Sequence, residues 1–350
     1  MPSPTDRRIP AGAGAAGAGF RSFPSAADGG ASSAASLPAA GALAPPGRWG
    51  DRIFRWLALG GAVTVILLVI LVGYNLYAGS RLSLRAFGWH FLASSTWDPV
   101  RDIYGALPFI YGTFLSSFIA LLIAVPLGVG TAIYLTDLAP LWLRQPLASI
   151  IEMLAAVPSV IWGLWGIFVL VPWLRVHAYP FLQKTLGFLP LFDGPIYGVG
   201  MLTAGIIVAI MILPIVTSVS REVLRSVPNL QREAAYGLGA TRWEVTRIAV
   251  LSYARRGLFG AGVLGLGRAL GETMAVTMVI GNRPEIAKSL FAPGYTLASV
   301  IANEFSEASG LYLNALFELG LVLLGFTILI NVIAVIMIRA ITSPETRRVA

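Results

Sequence analysis

Arg268 and Glu272 are the only charged residues between Gly257 and Gly281, an apolar stretch long enough to span a bilayer. On a helix, four-residue spacing puts a guanidinium and a carboxylate one turn apart on the same face. Each charge at membrane depth costs about 2.5–3.5 kcal/mol on insertion scales, so such residues face protein or water and usually serve a function. A third charge, Glu318, falls seven residues into the apolar run from Leu311 to Ile338. At 1.5 Å per residue, Glu318 and Glu272 sit roughly 10 and 14 Å below one membrane surface, close enough to share a layer. Two readings stay open. Arg268 forms an interior ion pair with Glu272 or Glu318 that fixes helix packing, or it offers a transient site to an anion on its way through. Guanidinium makes parallel hydrogen bonds to oxyanions. A neighbouring carboxylate accepts a proton-bearing phosphate and repels sulfate, which has no proton to offer.

Other chemistries lack the residues they need. Cysteine is absent, which excludes disulfides and thiolate metal sites. His90 and His177 lie far apart, and no metal and no cofactor is assigned. The only lysines, Lys184 and Lys288, follow Gln183 and Ala287, so there is no Gly-Lys-Ser/Thr loop to hold nucleotide phosphates. No Ser/His set or pair of catalytic carboxylates stands at one place. The expectation is a non-catalytic membrane subunit whose energy comes from a partner.

The elements that must position these charges follow from composition. The chain has 350 residues, 56% hydrophobic and 12% charged, with a mean hydropathy of +0.77. Soluble domains carry about 25% charge. An all-α polytopic membrane protein with six transmembrane helices is expected, over Trp56–Ser80, Ile103–Thr136 (starting near Phe109, since Pro108 breaks a helix), Leu147–Val171, Gly194–Ser220, Gly257–Gly281 and Leu311–Ile338. Glu152 lies near one end of the third. The net charge of +8 reflects arginines on one membrane face and not nucleic-acid binding. With the N-terminus inside, fourteen arginines flank the spans inside, seven of them between Arg221 and Arg256, against seven Lys/Arg outside. Both termini are therefore expected in the cytoplasm.

Residues 1–50, rich in Ala, Gly, Pro and Ser, read as a disordered cytoplasmic tail. The expected organisation continues with 51–105 (first span and extracytoplasmic segment), 106–340 (permease domain, with a coupling loop at 221–256) and a short tail at 341–350. Trp89, Phe91, Trp97 and Tyr104 suit a membrane interface or contact with an extracytoplasmic partner, and Thr296–Phe305 suits a short helix lying on the outer surface. In the fifth span, Gly257, Ala261, Gly265, Gly267, Gly271 and Ala275 share an arc of roughly 160° with Arg268 and Glu272, so the small and charged face should turn inward.

The cytoplasmic loop between the fourth and fifth spans carries its own pattern. Asn229 is a good N-cap. Leu230, Ala234 and Leu238 repeat at helical spacing, Gly237 and Gly239 supply a stop, and Thr241-Arg242-Trp243-Glu244 reads as a capping box. Two short helices joined by a glycine turn make a rigid knob, which transmits a push.

This loop, with Glu233-Ala234-Ala235 and Gly239, resembles the coupling loop of the permeases of binding-protein-dependent ABC importers, where it seats in a groove of the ATPase. That pattern ends Ile-x-Leu-Pro. Here Ala249 and Ser252 depart from it and Leu251 is kept, which bears on the kink into the fifth span. Val157-Pro158-Ser159-Val160-Ile161-Trp162-Gly163-Leu164-Trp165-Gly166 and Gly265-Leu266-Gly267-Arg268-Ala269-Leu270-Gly271-Glu272-Thr273-Met274-Ala275-Val276 resemble segments of the phosphate-specific permeases. Thr273-Met274-Ala275 after Gly271-Glu272 resembles the PstC-type subunit more than its PstA-type partner, and Ala302-Asn303-Glu304-Phe305 and Glu318-Leu319-Gly320 are also similar to that subunit. The resemblance implies a type I importer (MetI-like) fold, a second permease subunit of the PstA type, two ATP-binding PstB-type subunits and an extracytoplasmic phosphate-binding protein of the PstS type. It places the substrate pathway at Arg268, Glu272 and Glu318, and ATPase coupling at Leu230, Glu233, Ala234, Ala235, Leu238 and Gly239. The alternatives are a permease for sulfate, molybdate or a small organic solute, and a membrane scaffold that docks a cytoplasmic enzyme without moving solute.

Overall fold

A computed structural model describes residues 48–340. The expected tails at 1–50 and 341–350 fall outside it, apart from residues 48–50, which open the first helix. By its internal contacts the chain divides between Ala62 and Val63. Of the first unit, residues 48–62 are described, and all of them are helical.

Five uninterrupted helices among the described residues are long and apolar enough to cross a membrane: Trp49–Gly79, Leu107–Leu138, Ser159–Leu186, Met201–Arg225 and Gly310–Arg339. The fifth of the six expected crossings is divided, into Leu251–Leu270 and Met274–Val279. All-α architecture is as expected, and the only ladder pairing described is one isolated bridge between Asp98 and Ile103.

Several boundaries move for identifiable reasons. The second crossing begins at Leu107 because Pro108 sits in the first turn, where its missing N–H has no helical partner to lose. The third was expected from Leu147. Instead a separate helix, Leu141–Ala155, ends before Val157-Pro158, and the membrane-length helix starts at Ser159. Proline disfavours helical geometry at the residue before it. Wide π turns at Tyr134–Leu138, Gly166–Leu170 and Leu174–Ala178 each end two residues before a proline: Pro140, Pro172 and Pro180. A fourth, Thr246–Val250, ends two residues before Ser252, and helix runs on through it from Arg242 to Leu270 without a break.

The fourth crossing is the axis of the packing, with 67% of its most apolar window buried, against 6% for the last crossing. It lies along the second crossing, and glycines set the approach. A methyl on Gly128 would stand 2.9 Å from Val216 Cγ1, and one on Gly205 would stand 2.5 Å from Ile119 Cγ2. Ile119, Ala120, Ala124, Ile207, Val208 and Ile212 fill the seam.

The end of the bundle that carries residues 226–246 is called the elbow end below. A small apolar cluster of Ala132, Leu224, Val227, Val250 and Ala254 closes it. At the far end, residues 281–296 fold into the bundle. The carbonyls of Ala292 and Leu290 accept from the N–H groups of Met201 and Leu202, at 3.1 and 2.9 Å. They thereby satisfy donors that a helix start leaves open.

Trp97, Tyr104, Phe109, Tyr295 and Tyr312 meet beside that segment in edge-on and stacked pairs, with centroids 4.9–6.2 Å apart. Glu304 accepts from Trp97 Nε1 at 3.0 Å and from the Tyr312 hydroxyl at 2.6 Å. Phe91, Trp97 and Tyr104 are thus core residues of this cluster, while Trp89 is exposed. The segment after Thr296 does form a helix, Leu297–Glu304, with a capping box between Thr296 and Ser299. Its first half is not a surface segment: Leu297, Ala298, Ser299 and Val300 are buried, Leu297 and Val300 within the aromatic cluster, while Ala302, Asn303 and Phe305 are exposed. Burial pushes the Tyr104 and Tyr295 phenols above their ordinary range, so both stay neutral and act as hydrogen-bonding groups.

Candidate functional site

The fifth crossing breaks where its charges are. Arg268 occupies the last turn of Leu251–Leu270, Gly271 ends that helix, and Glu272 and Thr273 are non-helical before Met274–Val279 begins. The two charges are therefore not one helical turn apart on one face. Each instead suits the helix end it stands at, a cation at a C-terminus and an anion before an N-terminus. Broken backbone at membrane depth is tolerated only where it is buried in protein or lines a cavity. Glu272, within the break, meets the first condition, while Arg268 is still helical and lines a cavity. Glu272 is buried, and its Oε1 accepts from the Ala275 N–H at 3.4 Å. Arg268 is exposed and lines an open cavity of about 460 Å³ with Ile215, Gly260, Val263, Leu264, Gly267 and Asn331.

The small-residue face divides accordingly. Ala261 is fully buried, and methyls on Gly257 and Gly265 would run into Val223 and Val216 of the fourth crossing. That part packs inward as expected. Gly267 would meet nothing within 4 Å, because it forms cavity wall beside Arg268. Ala275 is buried too, but on the far side of the break.

Glu318 is not brought to this cavity. Its side chain is buried against helix Arg81–Phe87, whose Ser83 lies beside it. Glu318 lines a different cavity, of about 580 Å³, with Leu84, Trp89, Leu92, Leu321 and Val322. Among the described residues no ion pair joins Arg268 to Glu272 or to Glu318.

At the elbow, the first helix is Asn229–Gly237 and Pro228 takes the cap position, so Asn229 is the first helical residue and not the cap. Gly239 turns the chain with φ +83°, a conformation that glycine adopts without strain. The capping box forms: the Thr241 N–H donates to Glu244 Oε2 at 2.8 Å and the Glu244 N–H to Thr241 Oγ1 at 3.4 Å. The Thr241 N–H, and then its hydroxyl, hold the Glu244 carboxyl below its ordinary range. No residue of Asn229–Gly237 is buried. Leu230 is 76% exposed and Leu238 90% exposed, with Glu233 and Ala234 also exposed and Ala235 half-buried. The leucines and Ala234 thus present a bare apolar stripe on a rigid, capped knob.

Two polar joints secure the elbow end, and the sequence reading missed the more buried one. Arg221 Nη2 meets Glu152 Oε1 at 2.6 Å, tying Leu141–Ala155 to the fourth crossing. Arg232, next to Glu233, meets Asp137 Oδ1 at 2.7 Å. Asp137 is the only acidic residue in the segment 137–146, which was the available sequence signal.

This geometry suits a membrane permease: apolar helices around a cavity-facing guanidinium, and an exposed knob that the chain itself leaves uncovered. The chain belongs to the family of binding-protein-dependent transport system inner membrane components, whose sequence profile matches residues 124–343. It is similar to the phosphate transport system permease protein PstC of Mesorhizobium japonicum, 49% identical over 296 residues that cover 83% of this chain and 90% of that one. The protein of the same name from Pasteurella multocida is 48% identical, covering 85% and 94%. In fold the chain resembles a bacterial ABC transporter involved in import of the acidic polysaccharide alginate, with a TM-score of 0.51 and 17% identity over 84% of this chain and 99% of that one. It is a multi-pass membrane protein and, as a member of this family, works with other transporter subunits.

Proposed function

We propose that this chain is the permease subunit of an ATP-driven phosphate importer. One observation carries the choice of substrate: near-half identity, over more than four-fifths of the chain, to proteins named as phosphate permeases. Arg268 supports it, since an unpaired guanidinium on an open cavity is suited to an oxyanion. Glu272 sets the charge at the helix break and positions Met274–Val279. Glu318 contributes from its own cavity, apart from the arginine.

The chain itself catalyses nothing. One of two ATP-binding subunits of the PstB type grips the elbow through Leu230, Ala234 and Leu238, a PstA-type subunit completes the pathway, and a PstS-type protein delivers phosphate. The arginine-rich elbow end faces the cytoplasm, with both termini on that side. Closure of the ATPase pair pushes the elbow and opens the pathway inward.

Reconstitution of the full complex in proteoliposomes with labelled anions tests this. ATP-dependent accumulation of phosphate, at least tenfold above sulfate and molybdate, is expected. Equal or greater uptake of another solute would reassign the substrate. ATPase docking with no solute movement would make the chain a scaffold.

A further inference from the structure

The elbow's side-chain grip on the second crossing runs through one carboxylate. Asp137 stands in the π turn Tyr134–Leu138 at the elbow end of the second crossing. Its Oδ1 receives Arg232 Nη1 at 2.7 Å, and its Oδ2 receives the Thr246 hydroxyl at 3.0 Å. The second Arg232 nitrogen, Nη2, donates to the Leu224 carbonyl at 2.9 Å, near the end of the fourth crossing. One acid therefore joins the second crossing, the first elbow helix and the segment that leads into the fifth. The Asp137 and Arg232 side chains are only 9% and 21% exposed, so water does not replace the bonds freely. The helix Asn229–Gly237 has no buried residue of its own, which leaves Arg232 as its polar anchor.

We infer that Asp137 is the joint through which displacement of the elbow reaches the second crossing. The inference rests on the proposed coupling role of the elbow. A push on Asn229–Gly237 has covalent ways onward at both its ends, through residues 226–228 into the fourth crossing and through the glycine turn and the capping box into the fifth. Arg232 adds two side-chain ways, to the Leu224 carbonyl on the fourth crossing and to Asp137 on the second. Of these only the Arg232–Asp137 pair leads directly into the second crossing, itself seated on the fourth at Gly128 and Gly205. That route, with the fourth-crossing contacts, moves a glycine-packed pair of helices as one body. Asp137 positions and transmits; it does not touch substrate.

The native sequence has no cysteine, so paired spin labels are introduced by Tyr236→Cys on the elbow and Tyr134→Cys on the second crossing, both exposed sites, in the assembled complex. With Asp137 intact, one elbow-to-helix distance is expected in the nucleotide-free and the ATP-trapped states. Asp137→Asn should give a distance that differs between the states and lower phosphate imported per ATP about tenfold. Exchanging the charges, Asp137→Arg with Arg232→Asp, should restore both readouts. Thr246→Val, which removes only the weaker arm, serves if Asp137→Asn does not assemble, with a smaller loss in the same direction.

An unchanged distance and an unchanged import ratio in Asp137→Asn would overturn the joint, as would loss of protein level alone with the ratio preserved. A complex that carries no phosphate at all removes the functional reading, while the distances still decide the joint.

Discussion

At the scale of the residue, the charges near the helix break have separable duties. Arg268 is exposed on its cavity and makes no ion pair, so its removal leaves no orphaned buried partner. Exposed substitutions of this kind shift stability by about 0.5 kcal/mol or less. Arg268→Ala should therefore keep normal membrane levels and melting temperature while phosphate uptake falls at least tenfold. Arg268→Lys should recover only part of the uptake, because an ammonium offers no planar pair of donors. Uptake assays beside immunoblots check this, and wild-type uptake in Arg268→Ala would remove the arginine from the pathway. The sequence singled out Arg268 and Glu272 and misplaced their relation. Helical spacing presumes an unbroken helix, and Gly271-Glu272-Thr273 breaks it. A single glycine in a glycine-rich span gives no notice of which one ends the helix. Asp137 escaped notice for a different reason: its partner Arg232 is 95 positions away in the chain.

At the scale of the element, much of the chemistry that acts over a few residues was legible, Asn229 excepted, whose expected cap position Pro228 takes. The capping box at Thr241, the left-handed Gly239 and the exposed leucine stripe could all be read from spacing, and all are present. The Thr296–Phe305 helix was equally legible, but its burial was not, since that depends on aromatic residues more than 180 positions earlier. The small-residue face of the fifth crossing gives the sharpest prediction. Gly265→Val would press on Val216, whose Cγ2 stands 2.9 Å from where even a methyl would go, and overpacking of that kind costs about 1–3 kcal/mol. Gly267→Ala, two residues on, meets open space. Thermal melting of the detergent-solubilised complex should fall for the first and hold for the second. Equal effects would mean that the fifth crossing does not pack on the fourth as described.

At the scale of the whole molecule, apolar run lengths located five of the six expected crossings as membrane-length helices and did not reveal that the other is divided, while the ends of the crossings depended on prolines and on tertiary packing. The proposed orientation predicts a labelling pattern. Val100 and Leu238, 94% and 90% exposed, belong to opposite ends of the bundle. Single cysteines at these sites in the otherwise cysteine-free chain should react with a membrane-impermeant maleimide from opposite sides of sealed vesicles, Leu238→Cys only from the cytoplasmic side. Reaction of both from one side would overturn the topology. The divided fifth crossing has a further consequence for how the protein moves. A rod severed at one point carries no twist past the cut. Rotation that enters through Arg242–Leu270 is released at Gly271–Thr273, so the aromatic cluster and the inserted 281–296 segment need not follow. In an importer working as proposed, a turn of the fifth crossing at the elbow end would then not by itself open the opposite end.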